Sequence, residues 1–294
     1  MKAKHFVLFA TYKVTPSIIS EFKKMQDCGV KCVLGVHNTY GALEDDKSGA
    51  VQVKTLFGTE VTCLLLYEKD LKDMGLHIEA NIGYTLWHST DYWAYFAHKH
   101  FSDFDFYWEI DYDCFLNAPN YQKFFDFYDC CNEDFIVPNF RKIDKDTTWS
   151  WVKNTQWAYN DNEWYGSLFG IARYSKKFIL ALYEKRVAYT KIYENYKDKK
   201  QWLMCEFFTA TEAMKQGFST RNFSQDGHQI RINPFDLNAE RFFINPDNKI
   251  YHPIKEVAST KTLTKTIVIG ATMRAQNFLS YKLGVALIEN SKSL

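Results

Sequence analysis

The sequence lacks the glycine-rich loops that hold phosphates in several common enzyme classes. No G-x-G-x-x-G motif follows a predicted strand, which argues against a NAD-binding enzyme. The segment ATYKVTPS, which begins at the end of the first predicted strand, contains no glycine, whereas a nucleotidyltransferase normally carries a glycine-rich, basic loop at that place. These two absences argue against two well-known classes of nucleotide-binding α/β enzymes.

Long apolar runs and an excess of one charge are also missing. No run approaches about 20 apolar residues, the length that crosses a bilayer as a helix. The amino-terminal MKAKHFVLFATYKV has two lysines ahead of an apolar stretch, but that stretch is short, and we expect a first strand rather than a signal peptide. With a net charge of +1, no global field attracts nucleic acid. We therefore expect a soluble or peripheral protein without a nucleic-acid partner.

The cysteines are unsuitably spaced for cross-links or for zinc. Their number, seven, is odd, and the closely spaced pairs are Cys28 with Cys32 and Cys130 with Cys131, which form CxxxC and CC patterns rather than CxxC. Neither a disulfide framework nor a zinc site fits these spacings. Reduced thiols in a cytoplasmic protein are the simplest expectation.

Apolar runs typical of buried strands alternate with amphipathic runs typical of helices. The predicted strands span residues 5–11, 30–36, 61–67, 104–110, 135–137 and 167–173. The predicted helices span residues 17–27, 84–100, 121–128, 176–196 and 202–215. Such an alternation predicts an α/β fold, in which a mostly parallel sheet carries helices on both faces. Sheets of this kind bind ligands at the carboxyl ends of their strands.

One predicted strand ends in acidic residues. In FDFYWEIDYDCF, residues 104–115, an apolar run leads into Asp111 and Asp113, and Glu109 precedes them. Because side chains alternate along a strand, we expect these three carboxylates to project from one side of the sheet edge. Carboxylates at this spacing can hold Mg²⁺ or Mn²⁺ while a nucleotide diphosphate supplies further oxygens. The alternative is a simple turn in which the aspartates cap local backbone groups.

The order of the elements then resembles a known family. The series of strands and helices that ends in Asp-x-Asp resembles the nucleotide-sugar half of GT-A glycosyltransferases, which have a Rossmann-like sheet. Three later segments are similar to the acceptor-side strand and helix, the helix that carries a catalytic base in inverting members, and the late metal-binding histidine of that family. These segments are WYGSLFGIARYSKKFI (164–179), CEFFTATEAMKQGF (205–218) and YHPIK (251–255).

The resemblance implies roles for individual residues. Asp111, Asp113 and His252 are the expected metal ligands, Asp111 also being a candidate for contact with the donor, and Glu206 is the candidate general base. Non-catalytic alternatives stay open for two of these residues. A lone histidine such as His252 is often structural, and a glutamate at the start of a helix, such as Glu206, interacts favourably with the helix dipole. In a GT-A architecture, the ends of the first two strands would contact the donor nucleotide through Thr11, Tyr12, His37 and Asn38. Asp161, Glu163 and Trp164 are candidates either for the acceptor pocket or for an exposed loop.

We expect one GT-A domain over residues 1–255, with a nucleotide-sugar half (1–115) and an acceptor half (116–255). Residues 256–294 form the remaining segment, a C-terminal tail that we expect to be an amphipathic helix. Together with Lys255 the tail has six basic and two acidic side chains, and it contains NFLSYKLGVALIENSK, which is similar to endings of bacterial lipopolysaccharide and capsule glycosyltransferases. A basic amphipathic helix can contact anionic lipid of the inner membrane. The alternative is packing on its own domain or on a second subunit.

The function expected from the sequence is transfer of a sugar from a nucleotide donor to a bacterial capsule or lipopolysaccharide glycan. The cofactor is Mn²⁺ or Mg²⁺, a UDP-sugar is the family-level expectation for the donor, and an oligosaccharide or lipid-linked glycan is the expected acceptor. Two other classes stay open: a glycoside hydrolase with a carboxylate pair, which would keep its activity in EDTA, and a carbohydrate-binding protein without catalysis.

Overall fold

The first strand, β1 (His5–Thr11), is buried along its whole length because parallel strands flank it on both sides and a hydrophobic core covers each face of the sheet around it. Alternate side chains of β1 therefore enter two different hydrophobic cores: Phe6 and Leu8 pack on one face of the sheet, and Val7 and Phe9 on the other. The computed structural model describes residues 4–118, 121–144, 147, 149–152, 155, 157–159, 163–195, 201–231 and 248–254.

The remaining elements follow in chain order. The strands are β2 (Lys31–His37), β3 (Val51–Leu56), β4 (Thr59–Leu66), β5 (Phe106–Asp111), β6 (Phe115–Leu116), β7 (Phe135–Val137), β8 (Arg141–Ile143), β9 (Trp164–Gly166), β10 (Ile171–Ser175), β11 (Thr220–Asn222), β12 (Ile230–Arg231) and β13 (Ile250–Tyr251). The helices are α1 (Pro16–Gln26), α2 (Glu68–Asp73), α3 (Ile82–His88), α4 (Asp91–His100), α5 (Tyr121–Tyr128), α6 (Lys176–Glu194) and α7 (Cys205–Lys215). None of these helices, within the part of the chain described above, is long and apolar enough to cross a membrane.

Among the described residues, the central sheet has eight strands in the order β11-β7-β10-β5-β1-β2-β4-β3. The pairs β5/β1, β1/β2, β2/β4 and β7/β11 are parallel, whereas β10 runs antiparallel to both of its neighbours and β3 is antiparallel to β4. Helices cover both faces. The predicted α/β class with a mostly parallel sheet is thus confirmed. The predicted C-terminal tail (256–294) and the boundary at residue 255 lie outside the described residues.

The structure corrects two predicted elements near the carboxyl edge of the sheet. The helix predicted over 84–100 is two helices, α3 and α4, because Ser89 leaves the helical conformation and Asp91 at the start of α4 turns inward to pair with Arg186 of α6. The strand predicted over 167–173 begins only at Ile171, since Gly170 has a φ of +117° that ends extended pairing before it.

One hairpin was not predicted from the sequence. Strand β3 pairs with β4 through a tight turn at Phe57 and Gly58, both of which have positive φ. The side chain of Val53 on this outer strand and that of Phe57 in the turn are exposed, so the segment lacks the continuous apolar run of a buried strand. This edge of the sheet lies on the far side of β2 and β4 from β5.

Candidate functional site: a cavity at the carboxyl end of the sheet

A cavity of about 550 Å³ lies where β1, β2 and β5 end. Parallel strands place their carboxyl ends at one edge of a sheet, and the segments that follow them meet there. The cavity is lined by the ends of these strands, by one face of α3 and the start of α4, by the start of α7 and by residues 252 and 253. Of the eight residues predicted to form the site, all except Asn38 line this cavity.

Asp111 is the last residue of β5 and faces the cavity. Its position is fixed by both neighbouring strands: it stands opposite Ala10 of β1, and its N–H donates to the carbonyl of Gly170 at 2.9 Å. Glu109, two residues earlier, is buried and accepts a hydrogen bond from the Tyr174 hydroxyl at 3.0 Å. Burial raises the pKa of Glu109 well above its ordinary value. Glu109 therefore lies in the core beneath the site and is not among the residues that line the cavity.

Asp113 lies beyond the strand, in a turn closed by the hydrogen bond from Cys114 N–H to the Asp111 carbonyl at 2.9 Å. The alternation expected from a strand does not extend to this position, because the strand ends at Asp111. The turn itself returns the Asp113 carboxylate toward the cavity, where it lies beside Asp111.

The segment that carries His252 is hydrogen-bonded through its backbone to Asp113 and to the residues that follow it. Strand β13 pairs antiparallel with β6, and Ile254 N–H donates to the carbonyl of Asp113 at 2.7 Å. These backbone bonds place the Nε2 atom of His252 3.2 Å from Oδ1 of Asp113 and 3.9 Å from Oδ2 of Asp111. One ligand atom from each of the three residues lies within 4.8 Å of the other two.

The charges of this cluster favour a cation. Burial and the neighbouring charge of Asp113 raise the pKa of Asp111 to about 7. Burial by itself would lower the pKa of His252, but its hydrogen bond to Asp113 and the two carboxylate charges raise that pKa above the ordinary value. Two carboxylates held this close destabilise each other, and a divalent ion removes that repulsion. Two oxygens and one imidazole nitrogen form a donor set that suits Mn²⁺ and is compatible with Mg²⁺.

Glu206 is the first acidic residue of α7 and lines the same cavity. The segment before β10 holds it in place: Ser167 N–H donates to the backbone carbonyl of Glu206 at 3.0 Å, and Phe169 N–H donates to its carboxylate at 3.2 Å. Burial raises the pKa of Glu206 to about 7, although the hydrogen bond from Phe169 and the charge of His252 act in the opposite direction. A carboxylate with a pKa near neutrality is suited to exchange a proton at physiological pH.

The predicted nucleotide-contacting residues divide into two groups. Thr11, Tyr12 and His37 line the cavity, and the Tyr12 side chain is 54% exposed, so its ring is available to a ligand. Asn38 is buried outside the cavity: its amide nitrogen donates to the Leu43 carbonyl and to the Tyr67 hydroxyl, and its amide oxygen accepts from Leu43 N–H. These bonds give Asn38 a structural role in its loop.

The acceptor-pocket candidates do not line this cavity. Trp164 is buried in β9 with its ring against Phe207, so it is core rather than an exposed sugar platform. Glu163 is exposed, and Asp161 lies outside the described residues. The sequence prediction missed other lining residues on the loop after β2, on α3 and directly before α4, among them Tyr40, Leu86, Trp87 and Thr90. The pattern of α3 is that of any helix that packs one face on a core, which is why the sequence did not single these residues out.

No protein-family model matches this sequence, and no curated protein matches it. Among solved structures, the chain is similar to a glycosyltransferase involved in the glycosylation of the major capsid of PBCV-1, with 7% sequence identity and a TM-score of 0.40 over 89% of this chain and 99% of that one. It is also similar to mouse xyloside xylosyltransferase 1 in its apo form, with 12% identity and a TM-score of 0.41 over the same shares of the two chains. At these values the likeness carries no argument about activity, which must rest on the site itself.

Proposed function

We propose that this protein is a metal-dependent glycosyltransferase that uses a nucleotide-sugar donor. The observation that carries the proposal is the joint position of the Asp111, Asp113 and His252 cluster and the Glu206 carboxylate in one cavity at the carboxyl end of the sheet. A divalent-ion site beside a general base meets the two chemical needs of sugar transfer from a nucleotide, which are neutralisation of a diphosphate and deprotonation of a hydroxyl.

Asp111, Asp113 and His252 are the residues that would hold Mn²⁺ or Mg²⁺. The bound ion supplies positive charge that stabilises the diphosphate leaving group. The three side chains come from two segments joined by backbone hydrogen bonds, so their relative positions are fixed before any ligand binds. Such preorganisation lowers the cost of assembling the site.

Glu206 is proposed to take the proton of the acceptor hydroxyl. As the proton passes to the Glu206 carboxylate, the acceptor oxygen forms a bond to the anomeric carbon and the bond from that carbon to the diphosphate oxygen breaks. The Phe169 N–H that donates to the carboxylate keeps it oriented. This role applies to an inverting transfer; in a retaining transfer, Glu206 would not need to act as the base.

The ends of β1 and β2 are proposed to contact the nucleoside. His37 is buried at the cavity wall, and its Nε2 atom has no hydrogen-bond partner in the part of the chain that the structure describes. Burial lowers the pKa of His37, which keeps the imidazole neutral and able to bond with an uncharged base or ribose group. A buried polar atom without a partner is costly, and a ligand atom would remove that cost.

The UDP-sugar donor, the capsule or lipopolysaccharide acceptor, the cytoplasmic location and the membrane contact of the tail stay predictions.

Nucleotide binding tests this proposal. Thermal unfolding is measured with UDP, GDP, CMP and ADP, each with and without Mn²⁺, for the wild type, for Asp113→Asn and for Asp103→Asn. Asp103 is an exposed member of another Asp-x-Asp pair, outside the cavity, and serves as the matched control. A ligand at about 100 times its Kd stabilises the folded state by about 2.7 kcal/mol.

We expect one nucleotide to raise the unfolding temperature only with Mn²⁺, in the wild type and in Asp103→Asn but not in Asp113→Asn. No shift with any nucleotide in the presence of Mn²⁺ would contradict the transferase proposal and favour a hydrolase or a binding protein.

A further inference from the structure

Helix α3 presents one face to the cavity. Gly83, Leu86 and Trp87 follow each other at the spacing of a helix face and line the cavity, and Thr90, the residue before α4, lines it as well. At one end, Gly83 lies beside His37, whose ring carbon is 3.8 Å from the place of a Cβ at position 83. At the other end, the Thr90 hydroxyl lies 3.5 Å from the sulfur of Cys205, the residue before Glu206. Trp87 therefore lies on the wall that joins the nucleoside side of the cavity to the proposed base.

The indole of Trp87 is unusually open for its size. It is 52% exposed although it lines the cavity, so the ring forms part of the rim. Two further rings lie beside it: Tyr84, 41% exposed, with its centroid 5.4 Å from that of Trp87, and the partly buried Trp151, whose ring meets Trp87 edge-on at 5.5 Å. We call Tyr84, Trp87 and Trp151 the rim platform.

A buried residue holds these rings in place. His88 is fully buried, its Nδ1 atom lies 2.8 Å from a carboxylate oxygen of Glu79, and its ring contacts all three members of the platform. The three rings of the platform therefore pack against one buried side chain. Rigid aromatic rings lose little conformational entropy when a ligand packs on them.

We propose that the rim platform binds a neutral sugar ring of the acceptor, which stacks its apolar face on Trp87. This inference rests on the proposed function. The platform contains only uncharged aromatic side chains, which suits a neutral pyranose rather than an anionic one. Exposed apolar surface that continues out of a cavity marks a place where a ligand extends beyond it. The donor, in contrast, is anchored inside, at the Asp111, Asp113 and His252 cluster and at the ends of β1 and β2.

The position of Trp151 in the chain supports acceptor binding at the platform. It belongs to a single 3₁₀ turn (Ser150–Val152) that follows β8 in the chain, whereas Tyr84 and Trp87 belong to α3. A ligand on the platform would contact both halves of the chain close to the mouth of the cavity. From there, one hydroxyl group of the bound sugar would reach inward toward Glu206. Glu206 follows Cys205 at the start of α7, and Cys205 is the residue that the Thr90 hydroxyl contacts.

The test compares glycan binding with nucleotide binding in the same proteins. Wild type, Trp87→Ala, Trp87→Phe and Phe57→Ala are each loaded with UDP and Mn²⁺ and applied to an array of neutral and anionic oligosaccharides. Phe57 is a 61% exposed aromatic residue in the β3–β4 hairpin, outside the cavity, and is the control for the loss of an exposed ring. The thermal shift caused by UDP with Mn²⁺ is recorded for all four proteins.

We expect the wild type to bind neutral oligosaccharides. Trp87→Ala should lower the affinity for them about tenfold, Trp87→Phe should lower it less, and Phe57→Ala should leave it unchanged, while the UDP shift persists in every protein. Binding of no neutral glycan by the wild type, or equal binding by Trp87→Ala, would overturn the inference. A loss of the UDP shift in Trp87→Ala with unchanged glycan binding would assign the ring to the donor instead. Absence of a UDP shift in the wild type would count against UDP as the nucleotide but not, without the other nucleotides, against the proposed function, and the glycan result would still decide the platform.

Discussion

Gly170 lies directly against the ring of His252. A Cβ atom at position 170 would come 2.8 Å from Cγ of the imidazole and 2.9 Å from its Cδ2, closer than real Cβ contacts allow. Gly170 also has a φ of +117°, which other residues rarely adopt, and its carbonyl accepts the N–H of Asp111. One glycine thus positions the backbone of the first proposed metal ligand and leaves space for the ring of the last.

Substitution of Gly170 tests this relationship. We expect Gly170→Ala to displace His252 and to weaken Mn²⁺ binding at least about tenfold, because loss of support for a metal ligand typically costs that much or more. The control is Gly217→Ala, which places a side chain at another positive φ, +72°, with no atom within 4 Å. Calorimetric titration with Mn²⁺ measures both variants. Equal Mn²⁺ affinities in the two variants would show that the contact with His252 has no bearing on metal binding.

Glu206 is expected to reduce stability at neutral and higher pH. Its pKa in the folded protein is raised to about 7 from an ordinary 4.5, so its ionised form is disfavoured in the folded state, and stability should fall as the pH rises through that window. We expect Glu206→Gln to lower activity at least about 100-fold yet to stabilise the protein above pH 7 by up to about 3 kcal/mol, since a tenfold change in acidity corresponds to about 1.4 kcal/mol. Urea unfolding at pH 5 and pH 8 measures the effect. A stabilisation that is equal at the two pH values would contradict the burial argument.

The same carboxylate sets a pH dependence of the rate. A general base works only when it is deprotonated, so kcat/KM should rise about tenfold per pH unit below the pKa of Glu206, near 7, and level off above it. Mn²⁺ must be saturating at each pH, because protons also compete for the metal ligands. The residual kcat/KM of Glu206→Gln should not show this rise with pH. If the variant shows the same pH profile as the wild type, then another group is the base.

The ion pair between Asp91 and Arg186 is expected to be critical for stability. Both side chains are fully buried, and the guanidinium donates to both carboxylate oxygens, at 2.8 and 2.9 Å. Asp91→Asn leaves the guanidinium charge without its partner, and we expect a loss of about 3 to 5 kcal/mol in urea unfolding. The exposed pair of Lys23 and Asp27 is the control, and Asp27→Asn should change stability by less than about 1 kcal/mol. Similar losses in the two variants would contradict this assignment.

Several elements could be predicted from the sequence because local patterns determine them. Strands β1 and β7 and helix α5 have the predicted bounds, since each is a short buried run or an amphipathic segment bounded by polar residues. The break between α3 and α4 could not be predicted, because it depends on the pairing of Asp91 with Arg186 in a distant helix. The need for glycine at position 170 could not be predicted either, because it depends on the contact with His252, which is distant in the sequence.

The site was predictable to the extent that topology decides it. The rule for carboxyl ends of parallel strands correctly gathered Thr11, His37 and Asp111 at one edge. The position of His252 followed from the family resemblance alone, since no periodic pattern relates it to Asp113. Trp164 and Trp87 show the limit of sequence patterns, because both are aromatic residues in mixed surroundings, and only the fold buries the first and exposes the second.

Release of a nucleoside diphosphate is the most direct test of metal-dependent sugar transfer by this protein. UDP-, GDP- and ADP-sugars are incubated with the wild type, Asp113→Asn and Glu206→Gln, in Mn²⁺ or in EDTA, with neutral oligosaccharides as acceptors. We expect the wild type to release nucleoside diphosphate from at least one donor. EDTA should abolish the release and Mn²⁺ should restore it, and both variants should be slower by at least about 100-fold. Release from no donor, or release that neither EDTA nor Asp113→Asn affects, would contradict metal-dependent sugar transfer.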